Sequence, residues 1–224
     1  MKSFHIIADY PSFVVINKAP GVSVHKDNND SGLAMELSAA LGNPVYLVHR
    51  LDKVTSGVMV FAKSSSVAAE LSKQFADRSV KKFYLALSDQ KPTKKQGLIK
   101  GDMAKSRRGA WKLTKSTDSP AVTHFFCANP MPGYRLFIVK PSTGKTHQIR
   151  VALKSIGSPI IGDDLYAGTS ADRTYLHAWQ LMFSCDGIQY HFSAPLIWGT
   201  LFALPEVVSQ LTEWAEPASL AWPQ

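Results

Sequence analysis

A single carboxylate, Asp52, lies among cations in the stretch 49–57, whose sequence is HRLDKVTSG. Arg50 precedes it by two residues and Lys53 follows it directly. Nearby positive charge favours the ionised carboxylate, which is the form that a nucleophile or a general base requires. Asp52 is therefore a candidate catalytic residue. The structural alternative is a turn residue or a helix cap, which is the commoner role of a surface Asp.

A second candidate functional segment, residues 94–112, mixes cations with an aromatic ring in the sequence KKQGLIKGDMAKSRRGAWK. Lysine and arginine side chains neutralise phosphates, and an aromatic ring can stack on a base. We therefore expect Arg107, Arg108 and Trp111 to contact RNA. The alternative is a solvated basic loop, which charge runs of this kind often form.

Three other kinds of site are disfavoured. The GKT at 144–146 lacks the glycine that a phosphate-binding loop needs five residues earlier, where this chain has Val139, and Pro141 offers no amide hydrogen. None of the seven histidines forms an H-x-x-x-H pair, so the sequence gives no support to a metal site. No G-x-S-x-G elbow anchors a serine nucleophile.

The composition is typical of a soluble, folded protein with a polyanionic partner. The 224 residues carry a net charge of +8, which favours nucleic acid or an anionic membrane surface over a small substrate. Cys127 and Cys185 are far apart and form no CxxC pair, so neither a zinc ribbon nor a disulfide scaffold is expected. No apolar stretch is long enough for a signal peptide or a membrane span. We expect a cytoplasmic protein.

Hydrophobic periodicity predicts the elements that position these residues. Strands are expected at 13–16, 58–62, 82–87, 122–127, 134–139, 175–183 and 189–192, and the turn-forming NPMPG at 129–133 is expected to join the fourth and fifth as a hairpin. A strand or loop is expected at 45–48, and short strands around a mobile basic loop within 88–118. Helices are expected at 31–41, 66–78, 146–156 and 205–214. The third helix is expected to carry His147, Arg150 and Lys154 on a polar face. Because several strands follow one another without an intervening helix, we predict a single mixed α+β domain over residues 1–224, built on antiparallel sheet.

The stretch HRLDKVTSG fits the pattern H-R-L-D-x-x-T-S-G at every specified position. Further segments fit companion motifs in the expected order, at 15–18 with Gly21, 82–84, 143–150 (TGKTHQIR), 162–163 with Tyr166, and 176–178 with Leu181. Together they resemble the RluA-type pseudouridine synthases over nearly the whole chain, in a short form that lacks an S4-type RNA-binding domain. The order N-K-A-P-G at 17–21 departs from the family's N-K-P-x-G, at no catalytic position.

The resemblance implies an α+β fold with a mixed, mostly antiparallel sheet, flanking helices and loops, and a central cleft. It also implies the isomerisation of uridine to pseudouridine in ribosomal or transfer RNA. It implies that no cofactor and no metal are used. The resemblance also implies that Asp52 is the essential carboxylate and that Arg150 pairs with it across the cleft and holds it ionised. It implies that Tyr84 stacks on the uracil. The residues alone do not choose between attack of Asp52 on C1′, removal of the C2′ proton and attack on uracil C6.

The remaining motif residues have less specific roles. Arg50 is a candidate to fill the space that a flipped nucleotide leaves, or to hold that nucleotide. His147 and Gln148 either contact the substrate or have a supporting role through hydrogen bonds, and Gly57 is expected to meet a backbone requirement. Two other functions stay open, a non-catalytic RNA-binding protein on the same fold and a nuclease, although a nuclease would normally need clustered carboxylates for metal.

Overall fold

The computed structural model describes residues 2–24 and 32–224. The chain divides into two compact units, the first comprising Met1–Lys82 and Ala178–Leu196, and the second comprising Phe83–His177 and Ile197–Gln224. Each unit contains its own group of antiparallel strands and two helices. The single domain inferred from the sequence stays a prediction.

Twelve strands and four helices occur within the described ranges. The strands are β1 (Phe4–Asp9), β2 (Phe13–Lys18), β3 (Tyr46–Leu47), β4 (Ser56–Ala62), β5 (Lys81–Ser88), β6 (Gln96–Gly101), β7 (Met103–Lys105), β8 (Trp111–Leu113), β9 (Ala121–Ala128), β10 (Arg135–Pro141), β11 (Leu176–Cys185) and β12 (Ile188–Ser193). The helices are α1 (Leu33–Leu41), α2 (Ser65–Ala76), α3 (Gln148–Ser155) and α4 (Pro205–Glu213). None of the helices in this part of the chain is long and apolar enough to cross a membrane.

The first unit is built around two strands that are buried along their whole length. Its strand order is β1-β2-β4-β11, with β3 beside β4 and β12 beside β11. Every residue of β2 and of β4 is buried, so both strands read as nearly continuous apolar runs. The buried strand predicted directly after Asp52 is therefore confirmed, and it begins at Ser56.

The two helices of the first unit match their predicted positions. Helix α2 begins after Ser64, whose hydroxyl accepts the backbone N–H of Val67 at 3.3 Å and caps the first turn. Val67 and Leu71 are buried, one turn apart on the same face. Helix α1 was expected to begin at Ser31, which lies outside the described residues, and the described helix begins at Leu33.

The second unit has the strand order β5-β10-β9-β6, all in antiparallel pairs. The predicted hairpin is confirmed, since β9 and β10 pair from Leu136 opposite Ala128 to Pro141 opposite Thr123. Strands β7 and β8 form a separate two-stranded hairpin. Its short strands agree with the expectation for the basic segment.

Two local predictions need correction. Strand β1 was not predicted, because a register shift between Ile6 and Ala8 interrupts the alternation of period 2 that marks a strand. Helix α3 begins at Gln148 rather than at Thr146, since His147 has a φ of 57°, in the left-handed region that ends a regular helix.

Candidate active site

Asp52 lies in a tight turn that leads into strand β4 of the first unit. The backbone N–H of Thr55 donates to the carbonyl oxygen of Asp52 at 3.0 Å and closes the turn. Thr55 is buried, Asp52 is half-buried and Arg50 is exposed. The carboxylate is thus held on a short segment anchored to a buried strand, which is the kind of support that a catalytic group needs.

Gly57, the glycine of the Asp52 motif, meets a close approach of strand β11. Its φ is 119°, a backbone conformation that residues with side chains rarely adopt. A Cβ placed on Gly57 would lie 2.1 Å from the carbonyl oxygen of Ala178. Any side chain here would displace the start of β4 and the turn that carries Asp52. The backbone requirement expected for Gly57 is confirmed.

Lys18 ties strand β2 to the turn that carries Asp52. This lysine is fully buried, and its ammonium donates to the carbonyl oxygens of Ala19 at 2.8 Å, Val22 at 2.9 Å and Lys53 at 3.2 Å. The backbone N–H of Gly21 donates to the same Lys53 carbonyl at 2.8 Å. Hydrogen bonds to three carbonyls offset much of the cost of burying the charge. Lys18 therefore fixes the carbonyl group of Lys53, the residue that follows Asp52.

His49 supports the turn as a neutral hydrogen-bond acceptor. Its ring stacks on Phe75, with centroids 4.3 Å apart, and Nε2 accepts the backbone N–H of Val60 at 3.1 Å. Desolvation, together with the positive charge of Lys82, lowers the pKa of His49 to about 3. The imidazole is thus uncharged near neutral pH, as acceptance of the Val60 N–H requires.

Tyr84 lies on strand β5 of the second unit, opposite Val139 of β10. Its ring is half-buried, whereas the preceding residue, Phe83, is buried and stacks on Trp222. Successive side chains of a strand point to opposite faces. The core packing of Phe83 therefore turns Tyr84 toward the other, less buried face of the strand.

Arg150 on helix α3 is held by a carboxylate and an aromatic ring of the same unit. Its Nε and Nη2 donate to the two carboxylate oxygens of Asp163, each at 2.7 Å. The guanidinium carbon lies 5.0 Å from the centre of the Tyr166 ring. A bidentate ion pair and a cation–π contact together restrict the orientation of the guanidinium.

The environment of Arg150 corrects one prediction and adds a residue. Arg150 was expected on a polar helix face, but it is only 5% exposed, because Asp163 pairs with it in the interior. Asp163 was not among the predicted site residues. The sequence did contain a signal, because Asp163 belongs to the Gly162–Asp163 motif, but it did not show that Arg150 is the partner of this carboxylate.

The oxygen and the nitrogen of the Gln148 side-chain amide both form hydrogen bonds with neighbouring residues. The amide oxygen accepts from the Thr143 hydroxyl at 2.7 Å and from the Lys145 backbone N–H at 3.0 Å. The amide nitrogen donates to the carbonyl of Val122 and to the hydroxyl of Thr123, both at 3.0 Å. These bonds fit the supporting role that the sequence left open, in which Gln148 shapes the start of helix α3.

The predicted RNA-contact residues lie on the hairpin of β7 and β8, which we call the basic hairpin (residues 103–113). Arg107 and Arg108 are exposed at its tip, and Arg108 and Gly109 have φ values of 55° and 76°. Trp111 is half-buried, and its backbone N–H donates to the hydroxyl of Tyr166 at 2.9 Å. The hairpin therefore presents cations outward at its tip, and the first residue of β8, directly after the tip, is bonded to Tyr166.

One group of possible metal ligands occurs within the described residues, formed by Glu70, Cys185 and Asp186 of the first unit. Burial, with the two acids adding to it, raises the pKa of the Cys185 thiol to about 11. A metal binds the thiolate, so a neutral thiol is a poor ligand at ordinary pH. We assign no metal to this group.

The predicted site residues are divided between the two units. Arg50 and Asp52 belong to the first unit, and the others belong to the second. Within the second unit the structure brings together Arg150, His147 and the Trp111 backbone around Tyr166. The pairing of Asp52 with Arg150 stays a prediction.

The chain is similar to RNA pseudouridine synthases. A family model described as RNA pseudouridylate synthase matches residues 12–155. An uncharacterized RNA pseudouridine synthase of Haemophilus influenzae is 54% identical over 181 residues, which cover 80% of this chain and 81% of that protein. Ribosomal large subunit pseudouridine synthase C of Rickettsia bellii is 32% identical, over 80% of this chain and 64% of that protein.

A solved human structure, RNA Pseudouridylate Synthase Domain Containing 1, shares the fold with a TM-score of 0.77 at 22% identity. The match covers 99% of this chain and 97% of the human one. This confirms the predicted fold class. Since the family model spans more than half of the chain, and the Haemophilus protein is similar over most of both lengths, the chain belongs to the RNA pseudouridylate synthase family, as its resemblance to the RluA-type enzymes indicated.

Proposed function

We propose that this chain isomerises uridine to pseudouridine in RNA, with Asp52 as the essential carboxylate. The observation that carries the proposal is the family match over residues 12–155, a range that contains Asp52, Tyr84 and Arg150. Ribosomal and transfer RNA are both candidate substrates, and the name of the Rickettsia relative favours testing ribosomal RNA first. We also propose a cytoplasmic location, where the free cysteines stay reduced.

The reaction breaks the N1–C1′ bond of uridine, turns the detached uracil and joins its C5 to C1′. Asp52 would attack C1′, remove the C2′ proton or attack uracil C6. Each route requires an ionised carboxylate in a pocket that excludes water, because the intermediate must neither escape nor hydrolyse. The half-buried position of Asp52, in a turn closed by a backbone hydrogen bond, supports this assignment.

Arg150 and Tyr84 complete the proposed catalytic set. We propose that Arg150 pairs with Asp52, and the support is its fixed guanidinium, already oriented by Asp163 and Tyr166. An arginine so constrained serves mainly to orient a carboxylate, since its charge is shared with Asp163. Tyr84 offers a half-buried ring on which the uracil can stack and still rotate in its own plane.

The test uses unmodified ribosomal and transfer RNA labelled with tritium at uridine C5. Joining C5 to C1′ must release that hydrogen to water, so release follows product formation. We expect release from at least one of the two RNA pools, equally with and without EDTA. Absence of release from both, with RNA binding intact, would favour the non-catalytic RNA-binding protein. Strand cleavage that EDTA abolishes would favour the nuclease.

Arg50 gives a prediction about the flipped nucleotide. Unstacking a uridine from folded RNA costs a few kcal/mol, and we propose that the exposed Arg50 offsets part of this cost. Arg50→Ala should lower turnover about tenfold on folded RNA, the equivalent of ~1.4 kcal/mol, and much less on an unstructured oligonucleotide. Tritium release from both substrates checks this. Equal losses on the two substrates would remove the proposed role.

The basic hairpin gives a prediction about salt dependence. If Arg107 and Arg108 neutralise phosphates, changing both to Ala should weaken RNA binding and reduce the slope of log K against log salt by about 1 to 2. Binding measured from low to high salt checks both effects. The control removes two exposed lysines from helices, Lys73→Ala with Lys154→Ala, and should leave the slope nearly unchanged. An unchanged slope in the hairpin variant would refute the contact.

A further inference from the structure

Tyr166 is held in a tightly closed loop of the second unit. It ends the short 3-10 turn Asp164–Tyr166, and its backbone N–H donates to the carbonyl of Asp163 at 3.0 Å. The loop begins at Gly162, where a Cβ would lie 1.8 Å from the carbonyl oxygen of Arg173, and closes at Gly168. Tyr166 is only 6% exposed. Its ring therefore has a defined position rather than a choice of several.

The same loop presents two groups to Arg150. Asp163 binds the edge of the guanidinium through two hydrogen bonds, and three residues later Tyr166 places its ring 5.0 Å from the guanidinium carbon. The carboxylate alone leaves the guanidinium free to tilt about the axis of the pair, whereas an aromatic face opposes that tilt. The ring of Tyr166 is thus the second constraint on the orientation of Arg150.

The hydroxyl of Tyr166 makes two further hydrogen bonds. It accepts the backbone N–H of Trp111 at 2.9 Å, and it lies 2.9 Å from Nδ1 of His147. Because the oxygen already accepts from Trp111, its own proton is available for a neutral His147. Tyr166 therefore connects three parts of the unit: its hydroxyl bonds the first residue of β8 and the residue before helix α3, and its ring contacts Arg150.

Two residues close to the hydrogen bonds of Tyr166 have an unfavourable backbone conformation. Arg108, at the hairpin tip, and His147, directly before α3, have φ values of 55° and 57°. Residues other than glycine adopt the left-handed region at a cost, and such outliers cluster where function needs a fixed geometry. Trp111, which bonds Tyr166, lies only three residues after Arg108. A displacement of the tip would reach Tyr166 through a very short length of chain.

We propose that Tyr166 is a positioning residue that couples RNA bound on the basic hairpin to the orientation of Arg150. Phosphates held by Arg107 and Arg108 would fix strand β8, the Trp111 amide would fix the Tyr166 hydroxyl, and the Tyr166 ring would set the plane of the guanidinium. Contacts between RNA and the basic hairpin would then raise the reaction rate of the enzyme–RNA complex as well as the affinity for RNA. This inference rests on the proposed function.

The first test separates rate from affinity in single-turnover tritium release with saturating RNA. Tyr166→Phe keeps the ring under Arg150 but removes the hydroxyl that links it to Trp111 and His147. We expect the saturating rate to fall about tenfold while the Kd for RNA changes less than about twofold. The control, Tyr175→Phe, removes another buried hydroxyl of this unit, bonded to Asp172 and Leu201, and should keep the native rate.

The second test is a mutant cycle with the hairpin. Arg107→Ala with Arg108→Ala should lower the saturating rate of the native protein, but should lower it no further in the Tyr166→Phe background, where the link is already broken. Additive losses would overturn the coupling. So would an unchanged saturating rate in the hairpin variant alone, which tests the proposal even if Tyr166→Phe does not fold.

The native protein distinguishes the two levels of failure. If it releases no tritium from either RNA pool, the proposed function fails and this inference fails with it. If the native protein is active and Tyr166→Phe retains its full saturating rate, only the coupling fails. Reduced rates for both Tyr166→Phe and Tyr175→Phe would mean that loss of a buried hydroxyl, rather than the link, lowers activity.

Discussion

Asp52→Asn is expected to lower the rate of pseudouridine formation by at least about 10³-fold, with little change in RNA affinity. Asparagine has nearly the shape of aspartate, so the turn closed by the Asp52 carbonyl and the Thr55 N–H should persist. The amide carries no negative charge, and it can act neither as a nucleophile nor as a base in any of the three routes. Single-turnover tritium release and a separate binding measurement check the two halves of this expectation.

The matched control for this variant is Asp77→Asn, which removes a carboxylate from an exposed residue at the end of helix α2. It should turn over at the native rate. A fall of less than about tenfold for Asp52→Asn would be too small for the loss of an essential group, since general acid–base contributions alone reach 10² to 10⁴-fold. Weaker RNA binding as the sole defect would assign Asp52 to substrate recognition.

Asp163→Ala is expected to destabilise the protein by about 3 to 5 kcal/mol, because it removes the bidentate partner of a buried guanidinium. Both Arg150 and Asp163 are almost inaccessible to water, so solvent cannot replace the lost bonds in the native fold. Urea unfolding measures the change. We also expect turnover to fall, since Arg150 would keep its contact with the Tyr166 ring but lose the carboxylate that fixes its edge.

The neighbouring residue supplies the control for Asp163. Asp164 is exposed, so Asp164→Ala should change the free energy of unfolding by no more than about 0.5 kcal/mol. Asp163→Asn keeps one acceptor oxygen, so its loss in the free energy of unfolding should lie between those of Asp163→Ala and Asp164→Ala. A loss below about 1 kcal/mol for Asp163→Ala would show that Arg150 is held by other groups, and the orienting role of this pair would have to be abandoned.

Elements set by local pattern were predictable from the sequence. The apolar run after Asp52 is buried along its whole length as β4, and Ser64 caps α2 before its first buried residue. The turn-forming residues between β9 and β10 predicted that these strands form a hairpin, and they do. The motif glycine was also foreseen as a backbone requirement, although only the structure identifies the Ala178 carbonyl that would clash with a side chain.

The partners of the buried charges were not predictable in this way. Arg150 and Asp163 are 13 residues apart, and the Lys18 ammonium meets a carbonyl 35 residues away, so no local period connects them. Helical spacing placed Arg150 on a polar face, because periodicity cannot distinguish a solvated cation from one paired inside the protein. The left-handed φ of His147 likewise depends on its surroundings rather than on its own side chain.

The most direct test of the central claim compares native protein and Asp52→Asn on the same RNA and counts both products. After reaction the RNA is digested to nucleosides, and the pseudouridine gained is set against the tritium released from uridine C5. We predict one tritium released for each pseudouridine formed by the native protein, and neither product with Asp52→Asn. Equal pseudouridine formation by both proteins, or tritium release without pseudouridine, would contradict the account.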